Sequence, residues 1–381
     1  MALALLTTAF SYGKNDLPVA IESLPRTIDP GLQGNGHVQG IVADVDNNAI
    51  YYSFTTFLLK TDLQGKPLAS VNGLTGHLGC LTFDKKNRKI YGSLEYKNDA
   101  IGKGILKYSS KDGQIKQNED GFYIAIFDID KIDRMNMDAE KDKVMNAVYL
   151  KEVVDDYSGK VNDGTKDIDH VWGCSGIDGV TFAPVPGSKN KDKKYLHVAY
   201  GIYGDTTRTD NDYQVILAYD TKNWDKYAKP LSQLAPHKSG PKKHEHKYFV
   251  HTGNARYGIQ NLAYDPFTDG WLAAVYTGKK SWYPNYSLFM IDGSRPSEKN
   301  LIKGAYKPFK GEEIFLKDAG LKDEKSGVRG WYFPYGSTGI APLGDGYFYI
   351  SHNYKKKKKQ GTTLHLYKWT GNPDNPFEEV R

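Results

Sequence analysis

The run Gly36-His37-Val38-Gln39-Gly40-Ile41-Val42-Ala43-Asp44 is followed by a polar Asp46-Asn47-Asn48 and then by Ile50-Tyr51-Tyr52-Ser53-Phe54. A short apolar run opened by glycines, a tight polar turn, and a run rich in β-branched and aromatic residues predict two strands of a hairpin. The same pattern returns four more times. Ile41-Val42-Ala43-Asp44 is answered by Leu81-Thr82-Phe83-Asp84, Val180-Thr181-Phe182, Leu262-Ala263-Tyr264-Asp265 and Ile340-Ala341-Pro342. Second strands follow at Ile50 to Phe54, Ile90 to Leu94, Leu196 to Tyr200, Leu272 to Tyr276 and Phe348 to His352.

Third strands are predicted at Leu58 to Asp62, Ala125 to Asp128, Val215 to Asp220, Leu288 to Asp292 and Leu364 to Trp369. Fainter fourth strands are expected at Leu68 to Val71, Ala147 to Val153 and Glu312 to Leu316. Regular repetition of this kind predicts an all-β chain folded as a single β-propeller of five four-stranded blades, a ring that leaves few sheet edges open. The longer units leave room for six or seven blades. We divide the chain into an N-terminal segment, 1–36, and a propeller domain, 37–381. Although 381 residues suffice for two ordinary domains, all-β folds of this type run as one.

With 39 Gly and 28 Tyr, the composition favours strands and turns over helices. The formal net charge of +6 suits an anionic partner or serves only solubility. Met1 to Phe10 reads as the remnant of a secretory signal peptide without its basic start, or as a strand that closes the ring. A secreted, extracellular protein is therefore expected. No later stretch approaches the roughly 20 apolar residues of a membrane span, and the chain is read as a monomer that binds neither membrane nor nucleic acid. Cys80 and Cys174 are too few for a disulfide framework or a zinc site, and two buried thiols are expected.

In a propeller, the starts of the innermost strands and the loops between second and third strands share one face. The long insertions, 96–121, 201–213, 277–286 and 353–362, gather on that face with the blade connections 155–173, 232–256 and 317–334. Long loops on a rigid scaffold carry function. Aligning the inner strands puts His37, His77, Gly176, Gly258 and Gly336 in one column at the mouth of the central channel. The column before holds Tyr257 and Tyr335, and two columns later stand Gln39, Gly79, Asp178, Gln260 and Thr338. The glycines are read as leaving room for the two imidazoles. Arg256, Arg208, Lys279, Lys280, His170, His251, His352 and Arg329 are further candidates on this face. Lys355 to Lys359 reads as a solvated hairpin tip, and the segment with His237, His244 and His246 as an exposed basic loop, not a ligand set.

Glycoside hydrolysis needs two carboxylates. The five-bladed glycoside hydrolases place three acids on the inner strands, whereas here His37 and His77 occupy neighbouring positions and only Asp178 and Glu95 are available. Two His with Tyr and Arg suit another reaction. Removal of the proton next to a uronic-acid carboxylate requires the carboxylate to be neutralised, a base, and a donor for the leaving oxygen. In these residue types, His37, His77, Tyr257 or Tyr335, and Arg256, the mouth resembles the secreted propeller polysaccharide lyases of the ulvan lyase and rhamnose–glucuronate lyase type. That resemblance implies a β-eliminating enzyme acting on an acidic oligo- or polysaccharide. Gln39, Asp178, Gln260, Arg208, His352, Trp282 and Trp331 are the expected substrate contacts.

The lyase reading requires no cofactor. A calcium ion at the acidic loop Asp205 to Asp212 or at Asp155-Asp156 is an option. Two other readings stand beside it. One is a non-catalytic module that binds a glycan or protein through Trp172, Trp282, Tyr283, Tyr286, Trp331 and Tyr332. The other is a metal-dependent hydrolase with His37, His77 and Asp178 around an ion.

Overall fold

The computed structural model describes residues 20–34, 36–107 and 119–381. The N-terminal Met1 to Phe10 lies outside them. Five antiparallel blades surround one axis, and their innermost strands are Gly40–Asp44, His77–Asp84, Cys174–Ala183, Ala255–Asp265 and Ile340–Gly344. Each apolar run of the repeat is thus an inner strand, and each β-branched and aromatic run pairs beside it, as Ile41 with Tyr52 and Ala43 with Ile50. Alternation puts one side chain of every pair between neighbouring blades, where Tyr52, Tyr200, Phe127 and Trp271 are fully buried.

The blades are not uniform. The expected outer strand of the second unit is Met145–Tyr149, and the chain then turns into the helix Lys151–Ser158, which takes up Val153. The strand Lys310–Ile314 does not complete the fourth blade. It adds in parallel to His246–His251 of the third, with Phe249 opposite Glu313, so that among the described residues that sheet has six strands and the fourth blade has three. Thr27–Ile28 and Phe377–Glu379 both pair with Lys359–Trp369 in the last blade, so segments near the two ends of the chain meet in one sheet. Cys80 and Cys174 are free and buried. The hairpin tip falls between Tyr347–Lys356 and Lys359–Trp369, with Lys357 at positive φ.

Three inner strands share a defect near the channel mouth. Their register slips between Leu78 and Leu81, between Ile177 and Val180, and between Arg256 and Ile259 and again before Asn261. Such bulges re-aim side chains out of the pleat. Gly79, Asp178 and Gln260 stand in these slipped stretches, which turns a repeat feature into a site.

Candidate active site

A cavity of about 310 Å³ opens at the mouth of the channel. All five blades reach it, through His37, His77, Asp178, Tyr257 and the hairpin residue Gln360, among others. The site grows from the second blade. His77 begins the inner strand and lies directly across from Glu95 in Lys89–Tyr96, so their side chains share a face. His77 Nδ1 is 3.5 Å from Glu95 Oε1 and 3.6 Å from Asp178 Oδ1, contacts of charge but too long for good hydrogen bonds. Among the described residues neither His77 Nδ1 nor Asp178 Oδ1 has a partner at hydrogen-bonding geometry, although both atoms are buried. Orphaned polar atoms in a cavity are groups awaiting a ligand or water.

The two acids differ in what holds them. Glu95 Oε1 pairs with buried Lys97 at 2.7 Å, and Oε2 accepts the Ile177 N–H at 3.1 Å. Lys97 also donates to Ser175 O at 2.9 Å. Burial works against the Glu95 charge, but Lys97 and His77 outweigh it and keep the carboxyl below its ordinary range. Asp178 keeps one oxygen on Gln260 Nε2 at 2.9 Å, and burial, reinforced by the Glu95 charge, lifts its pKa to about 7. Burial also opposes charge on His77, yet Glu95 and Asp178 raise its pKa above the usual value. The protonation of each therefore depends on the other, and the two titrate as a pair.

His37 is the opposite case. Burial first, and the His77 charge second, lower its pKa to about 4, so it is neutral. Gln39 Nε2 donates to His37 Nδ1 at 2.8 Å, which leaves the hydrogen on Nε2, 3.4 Å from Tyr276 Oη. Burial raises the Tyr276 hydroxyl to about 12. His37 is consequently a hydrogen-bond donor held in one orientation.

The structure brings together His37, His77, Tyr257, Gln39, Asp178 and Gln260 with Glu95, the other acid that the sequence made available, and with Ser175, Lys97 and Tyr276. Lys97 and Tyr276 escaped the sequence reading because they lie on second strands or just beyond, where the inner-strand columns carry no signal. The remaining expected site residues do not line this cavity. Tyr335 stacks on His352 at 3.4 Å, and His352 on His365 at 3.9 Å. Arg256 lies over Tyr257 and faces an adjoining cleft. Arg208 is spent on Asp210 and on the carbonyls of Asp169 and His170. Trp282 is half exposed beside Lys280. Trp331, 1% exposed, is a core residue whose indole donates to Asn372 O.

The glycine column does not make room for imidazoles. A side chain at Gly176 would meet Glu95 Oε2 at 2.1 Å, one at Gly258 the backbone of Gly201, and one at Gly336 Ile340. Among the described residues no three His, Cys, Asp or Glu side chains converge as a metal-ligand set, so His37, His77 and Asp178 do not form one. The acids of the two calcium candidates are engaged as well. Asp210 pairs with Arg208, Asp212 with Lys280, Asp155 with Lys151 and Asp156 with Lys247. His237, His244 and His246 are dispersed to Lys229 O, Glu152 and Glu312.

No family model matches the chain, and no curated protein does. Solved structures similar to it include a glycoside hydrolase family 43 β-1,3-galactosidase with galactodeoxynojirimycin, at 11% identity and TM-score 0.40 over 88% of this chain and 91% of the other. Another is the holo form of the pyranose dehydrogenase PQQ domain from Coprinopsis cinerea, at 9% identity and TM-score 0.33 over 86% and 81%. Values this low transfer neither activity nor ligand.

Proposed function

We propose that this propeller is a carbohydrate-active enzyme that takes a uronic-acid-containing saccharide into the mouth cavity and cleaves it by β-elimination, with Asp178 and His77 exchanging the protons. The observation that carries this reading is their 3.6 Å contact on the cavity wall, with an unpartnered oxygen on one and an unpartnered nitrogen on the other. Above a pH of about 7 Asp178 is an anion, beside an imidazole whose charged form the two acids favour. It accepts the proton from the carbon next to the sugar carboxylate. The electrons of that C–H bond form the C=C bond as the C–O bond to the leaving sugar breaks, and His77 protonates the departing oxygen. The proton on Asp178 then passes to His77, which restores the pair. Arg256, over Tyr257 and facing the adjoining cleft, supplies positive charge for the carboxylate of a neighbouring unit, and the His37 Nε2–H and Tyr276 orient the hydroxyls of the sugar in the mouth cavity.

Hydrolysis is the second reading. One observation favours it: Glu95 is held low and Asp178 is raised, the division of roles expected of a base or nucleophile and an acid. Both touch one nitrogen, so the facing oxygens lie no more than roughly 7 Å apart, not beyond the reach of such pairs. Against it, both Glu95 oxygens are already occupied by Lys97 and the Ile177 N–H. Incubation with a panel of uronic-acid polysaccharides, followed by ultraviolet absorbance and reducing ends together, decides. A rise in both marks elimination, reducing ends alone mark hydrolysis, and neither signal on any polymer overturns the proposal.

A further inference from the structure

The mouth cavity has a floor. Buried Asn261, at the end of the bulge in the fourth blade, donates through Nδ2 to Gln39 O at 2.8 Å and to Ser337 O at 2.9 Å. This one amide ties three blades together across the axis. Beside it the inner strands close up, since a side chain on Gly40 would meet Leu81 N at 2.6 Å. The hollow of about 820 Å³ at the opposite face, lined by Ile41, Leu81, Phe182 and Leu262, lies beyond that clasp. Ile101 and Ile105 of the helix Ala100–Leu106 wall the cavity on one side, and Gln360 walls it on another. Its volume, about 310 Å³, equals the share of about ten waters, room for one sugar ring with its substituents.

Tyr257 also lines a second, larger cleft of about 1050 Å³. The hairpin Lys160–Asn162 with Asp167–Asp169 forms one wall, and Tyr203, Lys279 and Tyr306 stand around the rest. The base of the cleft is rigid. Arg208 donates to Asp169 O and His170 O at 2.6 Å each, and buried Lys280 donates to Arg208 O and Asn211 Oδ1 at 2.7 Å. With those cations engaged, exposed Arg256 and Lys279 and the tyrosine rings face a ligand, alongside Lys166 and the carboxylates of Asp163, Asp167, Asp169 and Asp205 on the cleft wall. Aromatic faces and a few polar groups are what sugar rings require. The joint between the two spaces is strained. Tyr257 has φ +67, a left-handed conformation costly for a non-glycine residue, and its carbonyl accepts Gln260 Nε2 at 3.0 Å, the same amide that holds Asp178.

We infer that this cleft binds the rest of the saccharide and that the enzyme works from a chain end. The terminal unit fills the floored pocket, and the following units pass over Tyr257 into the cleft. This rests on the saccharide reading above, and binding tests it apart from turnover. The probe is a series of oligogalacturonates of one to five units, titrated into the full chain and into a Lys279→Ala/Tyr306→Ala variant that melts like the parent. Affinity is expected to rise about tenfold from one unit to three. The variant loses that gain and keeps its affinity for the single unit, and oligomers with bulky groups on both ends fail to bind. Affinity independent of length, or equal binding of doubly blocked oligomers, overturns the chain-end inference alone. Absence of binding by every member overturns it together with the saccharide reading.

Discussion

Asp178 and Glu95 are both acids buried against one imidazole, and only Asp178 keeps an oxygen free. The difference is a matter of neighbours: Lys97 and a backbone N–H saturate Glu95, whereas Asp178 has one amide. Asp178→Asn keeps the shape and the Gln260 contact and removes the proton acceptor. We expect a loss of at least about 100-fold in kcat, the usual worth of a general acid or base, with an unchanged melting temperature. A variant that turns over normally excludes Asp178 from the chemistry. The second prediction is the pH profile. Because Asp178 must be ionised and burial lifts it to about 7, kcat/KM rises as pH passes through about 7. A rising limb near the ordinary aspartate value instead would show that this acid is not the base.

At the scale of the element, the bulges explain why Asp178 and Gln260 point at each other from different blades. Gly79, at the matching place in the second blade, yields its volume, since a side chain there would meet Ser93 Oγ at 2.4 Å and Asp178 Oδ1 at 3.0 Å. Gly176 serves Glu95 likewise. Its φ of +129 and the 2.1 Å clash make Gly176→Ala a disruption of the Lys97–Glu95–His77 line, visible as a lower melting temperature and a shifted pH profile. Asn261→Ala takes the amide donor from two carbonyls, Gln39 O and Ser337 O, just ahead of inner strands and is expected to cost about 1–3 kcal/mol in urea unfolding. Trp331→Ala should cost about 3–5 kcal/mol, as for any large core residue. If that variant lost saccharide affinity without losing stability, the core assignment would be wrong.

For the whole molecule, stability toward acid follows from buried imidazoles. His197 packs at 4.3 Å from Trp271 and is fully buried, and burial lowers its pKa to about 3. His37 is lowered to about 4. Groups held below their unfolded values stabilise the fold above about 6.5 and lose that contribution as pH falls, at about 1.4 kcal/mol per pH unit each. The raised values of His77 and Asp178 act in the opposite sense. Comparison with His197→Phe cancels those contributions. The stability of the parent relative to the variant should decline steadily from pH 6.5 to pH 4, and a constant difference refutes the assignment. The ring itself is held by pairing in its last blade, where Thr27–Ile28 joins Lys359–Trp369.

Local pattern alone determined the architecture. Period-two alternation, turn residues and five recurrences of one apolar run specify the inner strands and their partners, because these depend on neighbours along the chain. It also put His37, His77, Gln39, Asp178, Gln260 and Tyr257 at the mouth, since a propeller maps equal repeat positions onto one ring. Tertiary structure decided the rest. The register of Glu95 against His77, the burial that separates two acids by protonation, and the capture of Arg208 by the carbonyls of Asp169 and His170 all depend on residues from different strands and loops meeting in space. The exchange of Lys310–Ile314 into the third blade depends on which sheet edge lay open to it, and the repeat pattern carries no record of that edge.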